Sequence, residues 1–484
     1  MMKHKRSLLS LVLLAIVLVL LAACSQPTPE VRVEKVKETV VVEKPVEKVV
    51  KETVVVEKEK EKPFPEGTEL HIVQWSHFVP RFDEWFDKYA QEWGDENGVK
   101  VIVDHISYAD IVPTLAAAID AGQGPTMIQM LGAPSQFVEG LRDLTDVNMK
   151  AQELYGEQVQ NCTANSYLPS IDKWYGFCHG WVPDPADYLV ELWSAVGYPN
   201  GPSTYADLLD GGTKIKEQFG VPVGLGMSPE IDSEFAMRSI IWSFGGSIQD
   251  ENENVVLNSP EVIEAVKYVA DLYQNAMTDE IFSWNAASNN QGLIAGELSY
   301  IQNSISAYRS LQKIDPEASD KVGFAPALKG PRGDQHNTAH VWHIYVVPNY
   351  VPEGPELEAA KKFMLDLVAN YDQATFNSEL YDFPAFPSVV PQLEGWLEAD
   401  PFGSRPPDKL KMLADAVNWT TALGFPGPAN PAISEVYNTH IIPAMMGKVA
   451  RGEATAEEAV AETEAQIKEI FQKWRDRGLV GGGK

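Results

Sequence analysis

The chain has 484 residues, with 68 acidic and 39 basic side chains, a formal net charge of −29 and three cysteines. Its 44% hydrophobic content suits a globular protein with a sizeable core, and at roughly 150 residues per domain the length predicts two to four domains. The acidity argues against nucleic acid as a partner, because phosphate binding needs basic patches, and against electrostatic attachment to an anionic membrane.

Residues 1–23 start basic (Lys3, Lys5, Arg6) and continue as an uncharged apolar run from Leu11 to Ala23. That run is short for a membrane span and has the layout of a secretory signal. It ends in Leu21-Ala22-Ala23-Cys24, which resembles the lipobox of bacterial lipoproteins and implies lipidation at Cys24. An uncleaved anchor helix from about Leu8 is the alternative, and either arrangement holds the globular part outside the membrane. Residues 24–66 read as a low-complexity tether, in which Lys37–Lys44 returns as Lys51–Lys58. Pro45 and the valine triplets oppose a coiled coil, so a solvated spacer is expected, reaching on the order of 100 Å at ~3.3 Å per residue. Residues 30–62 are charge-neutral, and without the three bases of residues 1–23 the exported chain carries −32. Cys162 and Cys178 remain as an even pair in an exported protein, which predicts a disulfide stabilising by roughly 3 kcal/mol, with two free buried thiols as the alternative.

From Glu69 the pattern is strand, helix, strand, helix, strand. Leu70–Trp75 reads as a buried strand; Phe82, Trp85, Phe86, Tyr89 and Trp93 then recur at helical spacing. Val99–Val103 is a second strand, Ser107 and Asp110 predict a capping-box-like helix start, and Thr126–Leu131 is a third strand. This βαβαβ order implies a parallel sheet whose ligands gather beyond the carboxyl ends of the strands. Later, Ser203 or Thr204 with Asp207 caps a helix, and Asn258-Ser259-Pro260-Glu261 starts another with Val262, Val266, Val269 and Leu272 inward. Lys321–Ala325 and Val341–Val347 read as strands, and Glu356–Asn370 as a helix. A last helix from Thr455 points Val460, Thr463, Ile467, Ile470 and Trp474 inward.

Several of these segments, in this order, are similar to family 1 extracellular solute-binding proteins. They are the first three elements, Ser107–Val112, Ala121–Pro125, Trp242–Gly246 followed by Asn258–Glu261, Gly292–Tyr300, Val322–Pro326 and Ala359–Phe363. The resemblance covers most of residues 67–475. It implies an α/β, two-lobed periplasmic-binding-protein-like fold (type II) with three hinge crossings and a ligand cleft between the lobes. Mapped onto this chain, it places hinges near Gly176–Val182, Leu298–Asn303 and Trp342–Pro348. The N-terminal lobe would be 67–178 plus 302–342 and the C-terminal lobe 182–299 plus 346–476. It further implies capture of a small solute, most readily a mono- or oligosaccharide, and delivery to the permease subunits of an ABC importer. The acidic, proline-rich stretch from Tyr381 to Pro428 departs from the family pattern.

Sugars present apolar faces rimmed by hydroxyls, so flat aromatics beside hydrogen-bonding side chains are the expected ligand contacts. The candidates are Trp75, Ser76 and His77 at the end of strand one; Trp242, Gly245 and Gly246; Trp284 and Asn285; Asn303; Trp342 and His343; and Tyr381. Phe383 and Trp419 lie further along the departing stretch. His336, His340 and His343 are spaced as metal ligands could be, so metal or another non-sugar solute is an alternative, although a strand would point 340 and 343 to opposite sides. No His-Glu-x-x-His, Gly-x-Ser-x-Gly or dinucleotide-binding motif occurs, so neither enzymatic activity nor a cofactor is expected, a secreted glycoside hydrolase being the distant alternative.

Overall fold

The computed structural model describes residues 62–482. The signal segment 1–23, the lipidation site Cys24 and the tether as far as residue 61 lie outside them. The end of the expected tether is part of the fold: Phe64 packs on Trp93 with ring centroids 6.5 Å apart, and Thr68 Oγ1 donates to Pro65 O at 2.8 Å.

Strand β1 (Glu69–Trp75) leads into α1 (Pro80–Asn97), which starts on a proline and ends where Gly98 takes φ 76°. Helix α1 buries Phe82, Phe86, Ala90 and Trp93, one residue per turn, while Trp85 and Tyr89 stay half-buried. Strand β2 (Lys100–Ile106), α2 (Tyr108–Ala121) and β3 (Met127–Met130) come next, and β1 pairs in parallel with both β2 and β3. The βαβαβ unit is therefore present. Its expected capping box is not, since Ser107 precedes α2 without a side-chain cap bond; Gly122, at φ 64°, closes the helix.

The chain continues through β4 (Phe177–Val182), β5 (Ala186–Leu189), β6 (Val223–Gly224), α3 (Ile231–Ser243) and α4 (Pro260–Ala276). Ser259 caps α4 by accepting from Val262 N, and Val262, Val266, Val269 and Leu272 are buried as their spacing predicts. Then come β7 (Tyr300–Gln302), α5 (Ser306–Ile314), β8 (Val322–Ala325), β9 (Val341–Val346), α6 (Pro355–Ala369), β10 (Phe383–Pro384), α7 (Pro431–Asn438) and α8 (Ala456–Asp476). A reciprocal capping box, Thr455 with Glu458, starts α8, and Phe471 rather than Ile470 faces the core there. Cys162 and Cys178 form a disulfide with Cα atoms 5.6 Å apart.

The strands form two main sheets. The first has the order β10-β4-β9-β3-β1-β2 and the second β8-β5-β7-β6. The chain leaves the first sheet after β4, at 183–185, and returns between β8 and β9. This sheet membership groups several segments differently from the expected lobe boundaries. β8 pairs antiparallel with β5 in the second sheet, and Ala307, Tyr308 and Leu311 of α5 join the same apolar cluster, so the segment assigned to the N-terminal lobe from 302 belongs with the second sheet. β9 lies between β3 and β4 in the first sheet, and α6 packs on β1 and β4, so 346 onward does not open the other lobe. Leu298–Asn303 and Trp342–Pro348 accordingly lie within or beside single sheets rather than at crossings. An alternating apolar run marks a strand; the edge it joins is decided by partners more than a hundred positions away, as in Val322↔Leu189.

Candidate ligand cleft

A cavity of about 820 Å³ opens beyond the carboxyl ends of β1 and β2. Ser76 and Phe78 lie just past β1, and Ser107, Tyr108 and Val112 stand at the start of α2. Glu230 and Ile231 begin α3, Trp284 and Asn285 come from the loop after α4, and Tyr437, Asn438 and His440 come from the end of α7. Flat rings thus face hydrogen-bonding side chains across a space of small-ligand size. Among the described residues that line it there is no lysine or arginine.

Each wall is braced from behind. Glu230 caps α3, its carboxylate accepting from Asp232 N at 2.7 Å and Ser233 N at 2.6 Å. Ser228 Oγ donates to Trp284 O at 2.8 Å, and Asn285 Oδ1 accepts from Ala287 N at 2.9 Å, fixing the turn that presents the indole. The hydroxyls of Tyr108 and Tyr437 lie 3.5 Å apart, and the Arg238 guanidinium sits 5.6 Å from the Tyr437 ring centroid. Arg238 is fully buried and donates from Nε to Glu234 Oε2 at 2.7 Å.

His440 sits at φ 53°, a left-handed conformation that is uncommon for a side chain of its size. Burial, aided by the nearby Arg238 charge, holds its imidazole down to about 4, so it is neutral at pH 7. The unfolded chain takes up this proton near pH 6.5 and the folded one only near pH 4, so the contribution lowers stability as pH falls between those values, by about 3 kcal/mol at most. Glu234, raised by burial to about 7, works the other way over the same range. The His440 contribution is therefore read as the difference between the wild type and His440→Gln in denaturant midpoints at pH 7 and pH 4.5. The variant is expected to lose less stability, or gain more, on acidification.

Of the residues singled out from the sequence, Ser76, Trp284 and Asn285 line the cavity. Trp75, His77, His343 and Tyr381 instead meet beneath it: the Trp75 ring lies 5.0 Å from His77, 6.3 Å from His343 and 6.4 Å from Tyr381. All four are buried, as is Trp342 on β9. His77 Nε2 and His343 Nε2 both donate to Asp382 Oδ1, at 3.3 and 2.9 Å. Trp242 is core, edge-on to Phe425. Gly246 serves helix packing, for a Cβ there would lie 2.6 Å from Val262 Cγ2, while Gly245 is exposed and takes the left-handed φ of 84°. Asn303 is buried; its side chain donates to Asn290 Oδ1 at 2.5 Å and its backbone N–H to Pro185 O at 3.1 Å. Phe383 packs on Trp181 in the first sheet, away from the cavity, and Trp419 is buried.

The three histidines spaced as metal ligands diverge. His336 meets Thr421, His340 meets Asp184 and His343 meets Asp382, and among the described residues no group of three or more His, Cys, Asp or Glu side chains is arranged to hold a metal ion.

Sequence reasoning missed Phe78, Tyr108, Glu230, Tyr437 and His440. Tyr108 lay inside the segment Ser107–Val112, and Glu230 could have been found as an acidic residue three positions before Ser233 at a helix start. Tyr437 and His440 carry no local signal.

A family described as bacterial extracellular solute-binding protein matches residues 84–402. A Deinococcus radiodurans protein named "Probable ABC transporter-binding protein" is 25% identical over 166 residues, 33% of this chain and 40% of that one, so the match spans less than half of that relative. The structure of maltose-bound MalE3 from T. maritima superposes with a TM-score of 0.68 at 20% identity, covering 83% of this chain and 100% of that chain. A sugar transporter from Arthrobacter chlorophenolicus A6 with bound laminaribiose gives 0.68 at 15% identity, covering 83% and 99%. These likenesses identify the two-lobed solute-binding fold.

Proposed function

Because the chain belongs to the bacterial extracellular solute-binding proteins, we propose that it captures a saccharide in the 820 Å³ cleft by lobe closure and delivers it to an ABC importer. The observation that carries this reading is the lining itself. Phe78, Tyr108, Trp284 and Tyr437 offer flat faces to the apolar side of a sugar ring, and Ser76, Ser107, Asn285 and Asn438 offer donors and acceptors to its hydroxyls. The saccharides named with the maltose-bound and laminaribiose-bound structures support the class. Closure results if the ligand binds the closed form better than the open one, which gives the importer two distinguishable states. Residues 1–23 act as the signal and Cys24 as the lipidated anchor, with the tether holding the folded part at the membrane surface. The protein binds without turnover.

A screen of mono- and oligosaccharides by thermal melting, with product analysis on each hit, tests the reading. A ligand should raise the melting temperature as RT ln(1 + [L]/Kd) predicts and return unchanged. Appearance of cleaved product would replace the transport reading by a hydrolase. Trp284→Ala is expected to weaken the best hit by about 10- to 100-fold, measured by titration calorimetry on the folded variant.

A further inference from the structure

The second-sheet side of the cleft concentrates carboxylates that the fold does not neutralise. Behind Glu230 stand Asp232 and Glu234 on α3, Asp184 in the crossing after β4, and Asp187 on β5. Arg238 and His340 face them. Arg238 is committed to Glu234, and His340 donates from Nδ1 to Asp184 Oδ1 at 3.0 Å, leaving Asp232 Oδ1 3.8 Å away. Asp184 is further satisfied by Gln302 Nε2 at 2.6 Å. Asp232 is not: its side chain is 9% exposed, neither oxygen accepts a hydrogen bond of normal geometry, and Nδ2 of the neighbouring Asn289 makes none either. It lies in the first turn of α3, one residue after Ile231 and two after Glu230, both of which line the cavity. An ionised group buried without a partner costs several kcal/mol, so such a carboxyl is completed by a cation or held protonated.

Resting on the saccharide reading above, we propose that the ligand of this cleft carries an ammonium group, as an amino sugar or an oligosaccharide of amino sugars does, received at the wall where Glu230 lies, with the buried Asp232 carboxyl two residues further into α3. The geometry suits that chemistry. The aromatic lining takes the apolar ring face and stabilises a nearby cation through the ring quadrupole. With no lysine or arginine lining the cleft, nothing there repels an ammonium or prefers a phosphate. The surroundings of Asp232 add a second signature. Burial, Glu230 and Asp184 push its carboxyl well above the ordinary carboxylate range, while Asn289 opposes them weakly. Glu234, Arg238, His340, Tyr108 and Tyr381 are the other charged and titratable groups around it. An arriving ammonium favours the ionised form, so binding should release up to one proton from the protein.

The test is calorimetric titration of the detergent-solubilised full-length chain with linkage-matched pairs: glucosamine against glucose, and the β-1,4 glucosamine disaccharide against cellobiose, with spermidine as a non-saccharide ammonium. Each titration is repeated in two buffers of different ionisation enthalpy. The inference expects the aminated member of each binding pair to be at least tenfold tighter than its neutral partner. It also expects proton release on binding, and loss of the amine preference and of the proton release in Asp232→Asn. Equal or tighter binding of the neutral member overturns the ammonium inference and leaves the saccharide reading standing. Binding of spermidine without any saccharide, or of no probe at all, overturns the saccharide reading and the inference with it. Since the paired comparison is made on the wild type, it is decisive even if the Asp232→Asn chain fails to fold.

Discussion

Replacing Arg309 by alanine is expected to cost about 3–5 kcal/mol, because it leaves a buried carboxylate without its counter-charge. Arg309 is 1% exposed on α5. Its guanidinium grips Asp400 with two bonds, Nη1 to Oδ2 at 2.7 Å and Nη2 to Oδ1 at 3.1 Å, and Nε donates to Glu379 O at 2.9 Å. Asp400 also accepts from Phe402 N at 2.9 Å and from Ser404 Oγ. The charge lies 5.2 Å from the Phe402 ring centroid. Arg309 thus joins α5, whose apolar face belongs to the second sheet, through Asp400 to the chain after β10, and through Glu379 O to the segment just before β10 of the first sheet. That segment holds Glu379 and Leu380 at φ 56° and 67°, conformations that persist only where surrounding bonds enforce them. Denaturant unfolding should show the full loss in Arg309→Ala. The double replacement Arg309→Met with Asp400→Leu should recover most of it, since neither charge is then stranded. A single-variant loss below about 1 kcal/mol would show that the pair is not a strut.

Asp382→Ala should be similarly costly, about 3–5 kcal/mol, and should also change the response to acid. Val79 N donates to His77 Nδ1 at 2.9 Å and Gln129 Nε2 to His343 Nδ1 at 3.3 Å, so in each ring the Nε2–H is left to donate to Asp382. The carboxylate thus completes two histidines at once. Despite the opposing effect of burial, His343 and His77 together hold it well below the usual carboxylate range. A depressed carboxyl contributes stability that is fully present above its unfolded value of 3.8 and is lost as pH falls towards its folded value. The wild type should therefore lose stability steeply below about pH 4, and Asp382→Asn should lose less over that interval from a lower starting point. Denaturant midpoints at pH 7 and pH 3 measure both. As His77 lies between Ser76 and Phe78, the alanine variant should also weaken saccharide binding in the cleft.

Much of the fold was legible from local pattern. The α4 start at Ser259-Pro260, the Thr204–Asp207 and Thr455–Glu458 boxes and the parallel β1–β3 unit all arise from spacing and capping chemistry that act within a turn or two. The candidate cleft was legible only where it touches such signals. Ser76 comes directly after a predicted strand, whose end is where ligands approach in a parallel sheet, and Trp284 and Asn285 precede a predicted crossing. Trp75 and His343 carried the same kind of signal and proved to be buried under the cleft. An aromatic residue at a strand end is equally suited to either place, and local sequence does not distinguish them.

By itself, then, the sequence determined the acidic character, most of the elements and several of their caps, and the even cysteine pair, because each depends on composition or on neighbours in the chain. Tertiary structure alone decided which sheet β8 and β9 join and which rings line the cavity. It also decided that Asp382 serves two histidines 305 and 39 positions away, and that Asp232 is buried behind Glu230 without a hydrogen bond of normal geometry. Those outcomes depend on groups brought together across hundreds of residues, as with Tyr108 and Tyr437, 329 positions apart. Burial and charge compensation are properties of that assembled neighbourhood, which no short stretch of chain encodes.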